Sequence, residues 1–423
     1  MKLPNQPMDL KTEIIAGLTT FLAMSYIIFV NPQILSVTGM DKSALIAATC
    51  LASAIGTILV GLIARSPIAM APGMGLNAFF AYSLVVGEKI PWPTALGIVF
   101  LSGVLFLLLT LAGIRAKLVD AIPKSLVLAI SVGIGLFITF IGLVNLGLIV
   151  KNEATLVGMG KFTPTVLIGL IGLLIMVFLE LLKIKGSLLI GIFASTLIAL
   201  IAGKIPFPQQ ILAMNINLTP IAFKLDILGA LKWSFFGAIF ALMFMDLFDS
   251  LGTLVACTHK AKVAEDKSYT GVINRLLGLD ALATMIGAVL GTSTTTAYIE
   301  SGAGIEAGGR TGVTAMVTGL LFLLGLFFVP LIGIVPNYAT APALIMVGLF
   351  MTKEIVRINF DQIEEAFPAF IIIIMIALSY SISSGLALGF ISFTLLKTFS
   401  GKIREIKPAM WAITLLSLLS FLI

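Results

Sequence analysis

Charged side chains are scarce in this sequence: Asp, Glu, Lys and Arg make up 11% of its 423 residues, against about 25% in a soluble globular domain. A water-soluble globule of this length is thereby excluded, because there is too little polar surface to solvate it. Basic residues outnumber acidic ones 26 to 20, a formal charge of +6. They stand singly between apolar runs, which excludes the clustered cationic face that nucleic-acid binding requires. The only two cysteines, Cys50 and Cys257, lie far apart in apolar stretches, so no disulfide framework is implied. The single histidine, His259, falls in the polar stretch THKAKVAEDK and reads as solvated. There is no Walker A sequence, no H-E-x-x-H, no Cys/His metal spacing and no nucleophile–base constellation. ATP hydrolysis, a metal site, a cofactor and enzymatic chemistry therefore have no support. The start, MKLPNQPMDLKTE, is polar and leads directly into an apolar segment, unlike a cleavable signal peptide.

What is present is apolar. Hydrophobic residues make up 59% of the chain and the mean hydropathy is +1.15, so the bilayer is the solvent. Runs broken by Gly, Pro or charge predict an all-α polytopic membrane protein with about fourteen crossings. The expected spans are 13–32, 44–63, 68–86, 93–113, 126–148, 164–182 and 186–203, then 229–256, 273–290, 291–308, 313–335, 341–352, 367–380 and 383–399. Residues 408–423 are left over, as a further span or an interfacial helix. With the N-terminus in the cytoplasm, only Lys42, Lys89, Lys151, Lys161, Lys204, Lys224 and Lys232 fall outside. The other 19 of the 26 basic residues are cytoplasmic, the bias that sets membrane orientation.

Two runs are unusual. IAMAPGMGLNAFFAYS (68–83) and GTSTTTAYIESGAGIEAGGRTG (291–312) are short, Gly-rich and polar at membrane depth. Each is the third segment of a seven-segment half, and an odd number of crossings inverts the second half relative to the first. Paired, interrupted segments in inverted halves point to a transporter's binding site. A looser echo relates 173–203 to 371–401.

Five carboxylates lie inside apolar segments: Asp246 and Asp249 in the eighth, Asp280 in the ninth, Glu300 and Glu306 in the tenth. An acid at helix centre costs about 2.5–3.5 kcal/mol on insertion scales, so such groups face a cavity and serve a purpose. Asp246 and Asp249, three apart in MDLFDSLGTL, are expected on one helix face, where two close carboxyls can trade a proton. In the tenth segment, Thr292, Thr294, Thr295, Thr296, Gly302 and Gly304 suit an extended stretch followed by a half-helix. Tyr298 is placed to lie against a flat substrate, and Glu300 to accept hydrogen bonds from its N–H groups. In the third segment Pro72, Gly73 and Gly75 break the helix and Asn77 offers a donor and an acceptor. Asn31-Pro32 is read as a structural break ending or kinking the first segment, and Arg310 as a partner of Glu306 or of lipid headgroups.

These stretches, with EIIAGLTTFLAMSYIIFVNPQIL (13–35) and SISSGLALGFISFTLLK (381–397), resemble the AzgA-like purine permeases of the nucleobase–cation and nucleobase–ascorbate symporters, over about residues 10–410. The resemblance implies two inverted seven-segment repeats. Segments 1–4 and 8–11 (13–113 and 229–335) would form a core, and 126–203 with 341–423 a gate. It carries Asp249 and Glu300 onto the family's acidic positions in segments eight and ten. Asn77 and Gly75 fall on its polar segment-three positions, and Tyr298 on an aromatic that stacks on the base. Where uracil-type relatives have a His one turn after the first acid, this chain has Thr253, a departure that favours purines over pyrimidines. The expected activity is symport of hypoxanthine, adenine or guanine with protons by an elevator-like or rocking motion. Asp249, Asp246 and Glu300 are the proton-coupling candidates, with Thr253, Asp280 and Thr296 in support. Proton against sodium coupling, and monomer against homodimer, stay open at this level. An anion transporter of the same architecture is the alternative, disfavoured by acids at the site. A passive channel would need no titratable pair.

Overall fold

The chain is described by a computed structural model covering residues 9–113, 122–208, 210–212, 216–260 and 269–422, excepting the side chains of 259, 260, 269, 270, 416 and 419–422. The first half comprises α1 (Leu10–Met24), α2 (Ile27–Ser36), α3 (Lys42–Leu59), β1 (Met70–Pro72), α4 (Met74–Ala78), α5 (Trp92–Leu111), α6 (Lys124–Leu146), the hairpin β2 (Ile149–Asn152) and β3 (Leu156–Met159), α7 (Pro164–Leu181) and α8 (Ser187–Ile201). The second comprises α9 (Ile227–Ala230), α10 (Phe236–Lys260), α11 (Tyr269–Leu290), β4 (Thr295–Ala297), α12 (Ser301–Glu306), α13 (Gly312–Gly325), α14 (Val329–Gly333), α15 (Asn337–Thr352), α16 (Ile363–Ser379), α17 (Ile382–Phe399) and α18 (Pro408–Leu422). Among the described residues, ten helices are long and apolar enough to cross a bilayer, and Met74–Gly87 and Ser187–Ile201 are apolar but shorter. Exposed apolar side chains such as Leu111, Leu174, Leu181, Leu378 and Phe399 form the surface expected of a protein in lipid.

The inverted repeat is visible in which helices touch. α3 packs on α13 and α11 packs on α5, so segments two and eleven are matched by nine and four. α1 against α13 is matched by α10 against α5, and α6 against α16 by α15 against α7. Exchanging the halves maps each of these contacts onto another. The two extended stretches are exchanged with one another, and they pair directly: β1 and β4 run antiparallel with Met70 opposite Ala297, Ala71 opposite Thr296 and Pro72 opposite Thr295. Helices α1–α5 and α10–α13 pack mainly among themselves, as do α6–α8 and α15–α17.

Several boundaries differ from those expected. The first segment breaks at Ser25–Tyr26, between α1 and α2, while Asn31 and Pro32 lie inside α2. A helix tolerates proline in a bilayer when neighbouring groups satisfy the backbone it frees. The helix of segment ten is a single six-residue turn and a half, because its first half is spent on the strand. His259 lies within α10 rather than in a loop, its side chain outside the described set. The leftover stretch forms α18, packed along α17 with a hydroxyl bond from Thr394 to Thr414 of 2.7 Å. Its 15 residues reach about 22 Å, short of the ~30 Å hydrocarbon thickness.

Glu13 closes the fold at the N-terminal end of the bundle. It is buried, and its carboxylate accepts from the backbone N–H of Arg310 at 3.0 Å and Thr311 at 3.1 Å, and from the Thr314 hydroxyl. It thereby holds the turn that enters α13, a helix capped by the Thr311 hydroxyl, whose first residue, Gly312, lies so close to Gly61 that a Cβ would fall 2.0 Å from the Gly61 carbonyl oxygen. Replacing Glu13 by Ala leaves these N–H groups buried without acceptors, at about 1–3 kcal/mol. Glu13→Ala is expected to lower the melting temperature of the detergent-solubilised protein; an unchanged melting curve would show that the turn entering α13 does not depend on this carboxylate.

Candidate functional site

The site is built around backbone that cannot satisfy itself. Three-residue strands leave unpaired groups at membrane depth, where each costs several kcal/mol, and side chains complete them. Thr57 of α3 accepts from Met70 N and donates to Met70 O, both at 2.9 Å. On the other strand, Thr284 of α11 accepts from Thr295 N at 3.2 Å and lies 3.0 Å from Thr295 O. Segments two and nine thus do the same work in the two halves. Gly73 N donates to Thr294 O, Tyr298 N to Ala69 O and Ala69 N to Ser301 Oγ, each at 3.0 Å.

Two buried acids stand behind the strands. Asp280 accepts from Ala297 N at 3.0 Å and from Ser250 Oγ at 2.7 Å, and Ser250 also meets Thr296 Oγ1 at 2.6 Å. Asp246 Oδ2 lies 3.0 Å from Thr284 Oγ1, while its Oδ1 is buried with no hydrogen bond. Asp249 is different: its side chain is exposed, although Asp246 is 1% exposed. A separation of three residues turns a helix by about 300°. The two acids therefore sit about 60° apart, Asp246 buried against Thr284 of α11 and Asp249 exposed. Thr253, one turn beyond Asp249, is buried.

Glu300 is half-buried at the N-terminal end of α12. The fully buried Tyr26 donates its hydroxyl to Glu300 Oε1 at 2.6 Å. The carboxyls of Asp249 and Glu300 and the phenols of Tyr26 and Tyr298 lie within electrostatic reach of one another. Tyr298 is 5% exposed and donates to Pro72 O at 2.6 Å. Among the described residues none of these four acids forms an ion pair.

Other sequence candidates sit differently from expectation. Asn77 is fully buried; its amide nitrogen donates to Asn31 Oδ1 at 2.5 Å and its oxygen accepts from Ser293. Asn31 in turn donates to Thr49 at 2.7 Å and Thr292 at 2.9 Å. Both ends of the Asn77 amide are therefore engaged by protein, and Asn31 is the hub joining α2, α3, α4 and the approach to β4. Gly75 is where α4 meets α6: a Cβ there would lie 2.6 Å from Ile134 Cγ2. Arg310 donates to the carbonyls of Ile305 and Gly309, and Glu306 pairs with Lys185 at 2.9 Å instead. Lys185 lies between α7 and α8, so it crosses from one helix group to the other.

The Permease family model (Xan_ur_permease) matches residues 11–408. The chain belongs to the Permease family. It is a transporter and not an enzyme, a multi-pass membrane protein of the family to which these sequence matches assign it. Adenine permease AdeP of Escherichia coli K12 is 43% identical over 419 residues, covering 99% of this chain and 94% of AdeP. Guanine/hypoxanthine permease PbuG of Bacillus subtilis 168 is also 43% identical, covering 97% of this chain and 96% of PbuG. The transmembrane domain of the cyanobacterial bicarbonate transporter BicA superposes with a TM-score of 0.68 at 15% identity, covering 90% of this chain and 98% of that one. The likeness to BicA is one of fold.

In this permease, a cavity of about 380 Å³ lies between α10, the first half of α17 and the middle of α18, lined by Trp233, Phe240, Phe244, Ser384 and Phe390 among others. None of the four acids lines it; the lining residue nearest to them in sequence, Phe244, is two positions before Asp246. Sequence reasoning missed Tyr26, Thr57 and Thr284. Single Tyr or Thr residues in apolar helices give no local signal, and their partners are distant in the chain. Thr284→Val keeps shape but strips Asp246, Thr295 N and Thr295 O of their shared partner. A lowered melting temperature is expected in detergent, with recovery in Thr284→Ser; equal stability of the Val variant would show that the strand does not depend on this hydroxyl.

Proposed function

We propose that this permease carries purine nucleobases, coupled to protons, with the base held where β1 and β4 meet Asp249 and Glu300. The observation that carries the reading is this pair. One acid is exposed and one half-buried, beside two tyrosines, with no cation among the described residues to neutralise them. Carboxylates are acceptors only, so they suit a ligand whose edge presents N–H donors. The names of AdeP and PbuG, adenine and guanine/hypoxanthine permeases, agree with a purine and differ on which one.

Within this reading Asp249 and Glu300 take the base edge, and Tyr298, pinned to Pro72, offers its ring as a wall. Asp246, with a bare buried oxygen, Asp249 and Glu300 are the proton carriers. Asp280 and Thr296 hold the strand in register behind them, and Thr253 lines the helix turn beyond Asp249. Asn77 and Gly75 shape the half-helix after β1, Asn77 through its bonds to Asn31 and Ser293. The group α1–α5 with α10–α13 acts as the core that carries the site, and α6–α8 with α15–α17 as the gate it moves against. The N-terminus is cytoplasmic, which puts most Lys and Arg on that side. The fold likeness to BicA raises anion transport as a second reading, and accessible carboxyls with no ion-pair partner among the described residues argue against it.

Uptake of labelled hypoxanthine into cells or proteoliposomes tests this. Asp249→Asn and Glu300→Gln are expected to cut uptake at least about tenfold, the weight of one charge-assisted hydrogen bond, with membrane abundance unchanged. A proton ionophore is expected to abolish accumulation by the wild type. Wild-type uptake by both variants would remove the acids from the site, and accumulation that follows a sodium gradient instead would replace the coupling ion.

A further inference from the structure

Glu300 stands at the N-terminal end of α12, where an acid ordinarily folds back onto the helix's free N–H groups. It makes no such side-chain cap. Its carboxyl is held instead by the phenol of Tyr26, 274 positions away in sequence, at 2.6 Å. Tyr26 is completely buried, whereas Glu300 is half-buried. The hydroxyl therefore approaches from the protein side, and the accessible part of the carboxyl is left for a ligand. Tyr26 is itself rigidly placed. It sits in the break between α1 and α2, where Ile28 N donates to Ser25 O and Phe29 N to Tyr26 O, both at 3.1 Å.

We propose that Tyr26 is a positioning residue for substrate recognition. Its hydroxyl fixes the rotamer of Glu300, so that the carboxylate meets the N–H edge of the base already oriented. This rests on the reading of Glu300 as a base ligand. Removing the hydroxyl frees the carboxyl to turn toward the α12 N-terminus, and that freedom must be lost again each time a base binds. Affinity should suffer, and the rate at saturation should not.

The test is the kinetics of hypoxanthine uptake by Tyr26→Phe in proteoliposomes. KM is expected to rise about tenfold, as for loss of a hydrogen bond to a charged group, with the maximal rate and the melting temperature close to wild type. Glu300→Asp, which draws the carboxyl back from the hydroxyl while keeping its charge, is expected to raise KM in the same way. It serves if the Phe variant does not reach the membrane. A wild-type KM in either variant, or a lower maximal rate at unchanged KM, overturns the positioning role. Glu300→Gln, measured in parallel, separates the two levels. If it retains wild-type KM, the base does not use Glu300 and the underlying reading fails. If it loses uptake while Tyr26→Phe is normal, only the positioning role fails.

Discussion

The structure depends on one constraint: two short pieces of extended backbone are held in the interior of a membrane protein, where no water can satisfy them. The antiparallel pairing of Met70–Pro72 with Thr295–Ala297 meets part of that demand, and hydroxyls and a carboxylate meet the rest. Thr57 and Thr284 serve equivalent groups from equivalent helices, and Asp280 takes the N–H of Ala297. Buried polar chains of this kind rigidify when complete and are costly when broken. The interruption of the helices is thus sustained by the same residues that bring the acids together.

From that constraint follows a division of labour among four carboxyls that look alike in sequence. Asp246 and Asp280 face the strands and are buried; Asp249 is exposed and Glu300 half-buried. Helix geometry separates Asp246 from Asp249, and the end of β4 fixes where Glu300 emerges. Within the buried tier Ser250 joins Asp280 to Thr296, and so ties α10 and α11 to β4. The ion pair of Lys185 with Glu306 and the hydrogen bond from Thr340 to Gln33 tie the two helix groups together. Contacts between the groups are sparser than those within either. Relative movement of the groups would have to exchange these links.

Much of this was legible in the sequence because membrane proteins leave few choices. The polar, Gly-rich runs at 68–83 and 291–312 could not be ordinary spans, and both contain the paired strands. The five intramembrane carboxylates stood out against an apolar background, and all but Glu306 belong to the site. What sequence did not disclose were partners. Asn77 looked like a free amide, but Asn31 and Ser293 occupy both its ends. Arg310 looked like the partner of Glu306, but backbone carbonyls hold it. Tyr26 carried no signal at all, since a tyrosine in an apolar helix is ordinary until its hydroxyl is seen to end on an acid. Helix boundaries shifted for a similar reason: the break in the first segment follows the packing around Ser25–Tyr26 and not the proline.

The central claim is that a base is gripped by its polar edge at the junction of the two strands. A structure determined with hypoxanthine bound would test it most directly. The expected result is density beside the strand junction, with ring nitrogens at hydrogen-bond distance from Glu300 and Asp249 and the ring plane against Tyr298. A base seated instead in the cavity between Trp233 and Phe390, with both carboxyls uncontacted, would contradict it.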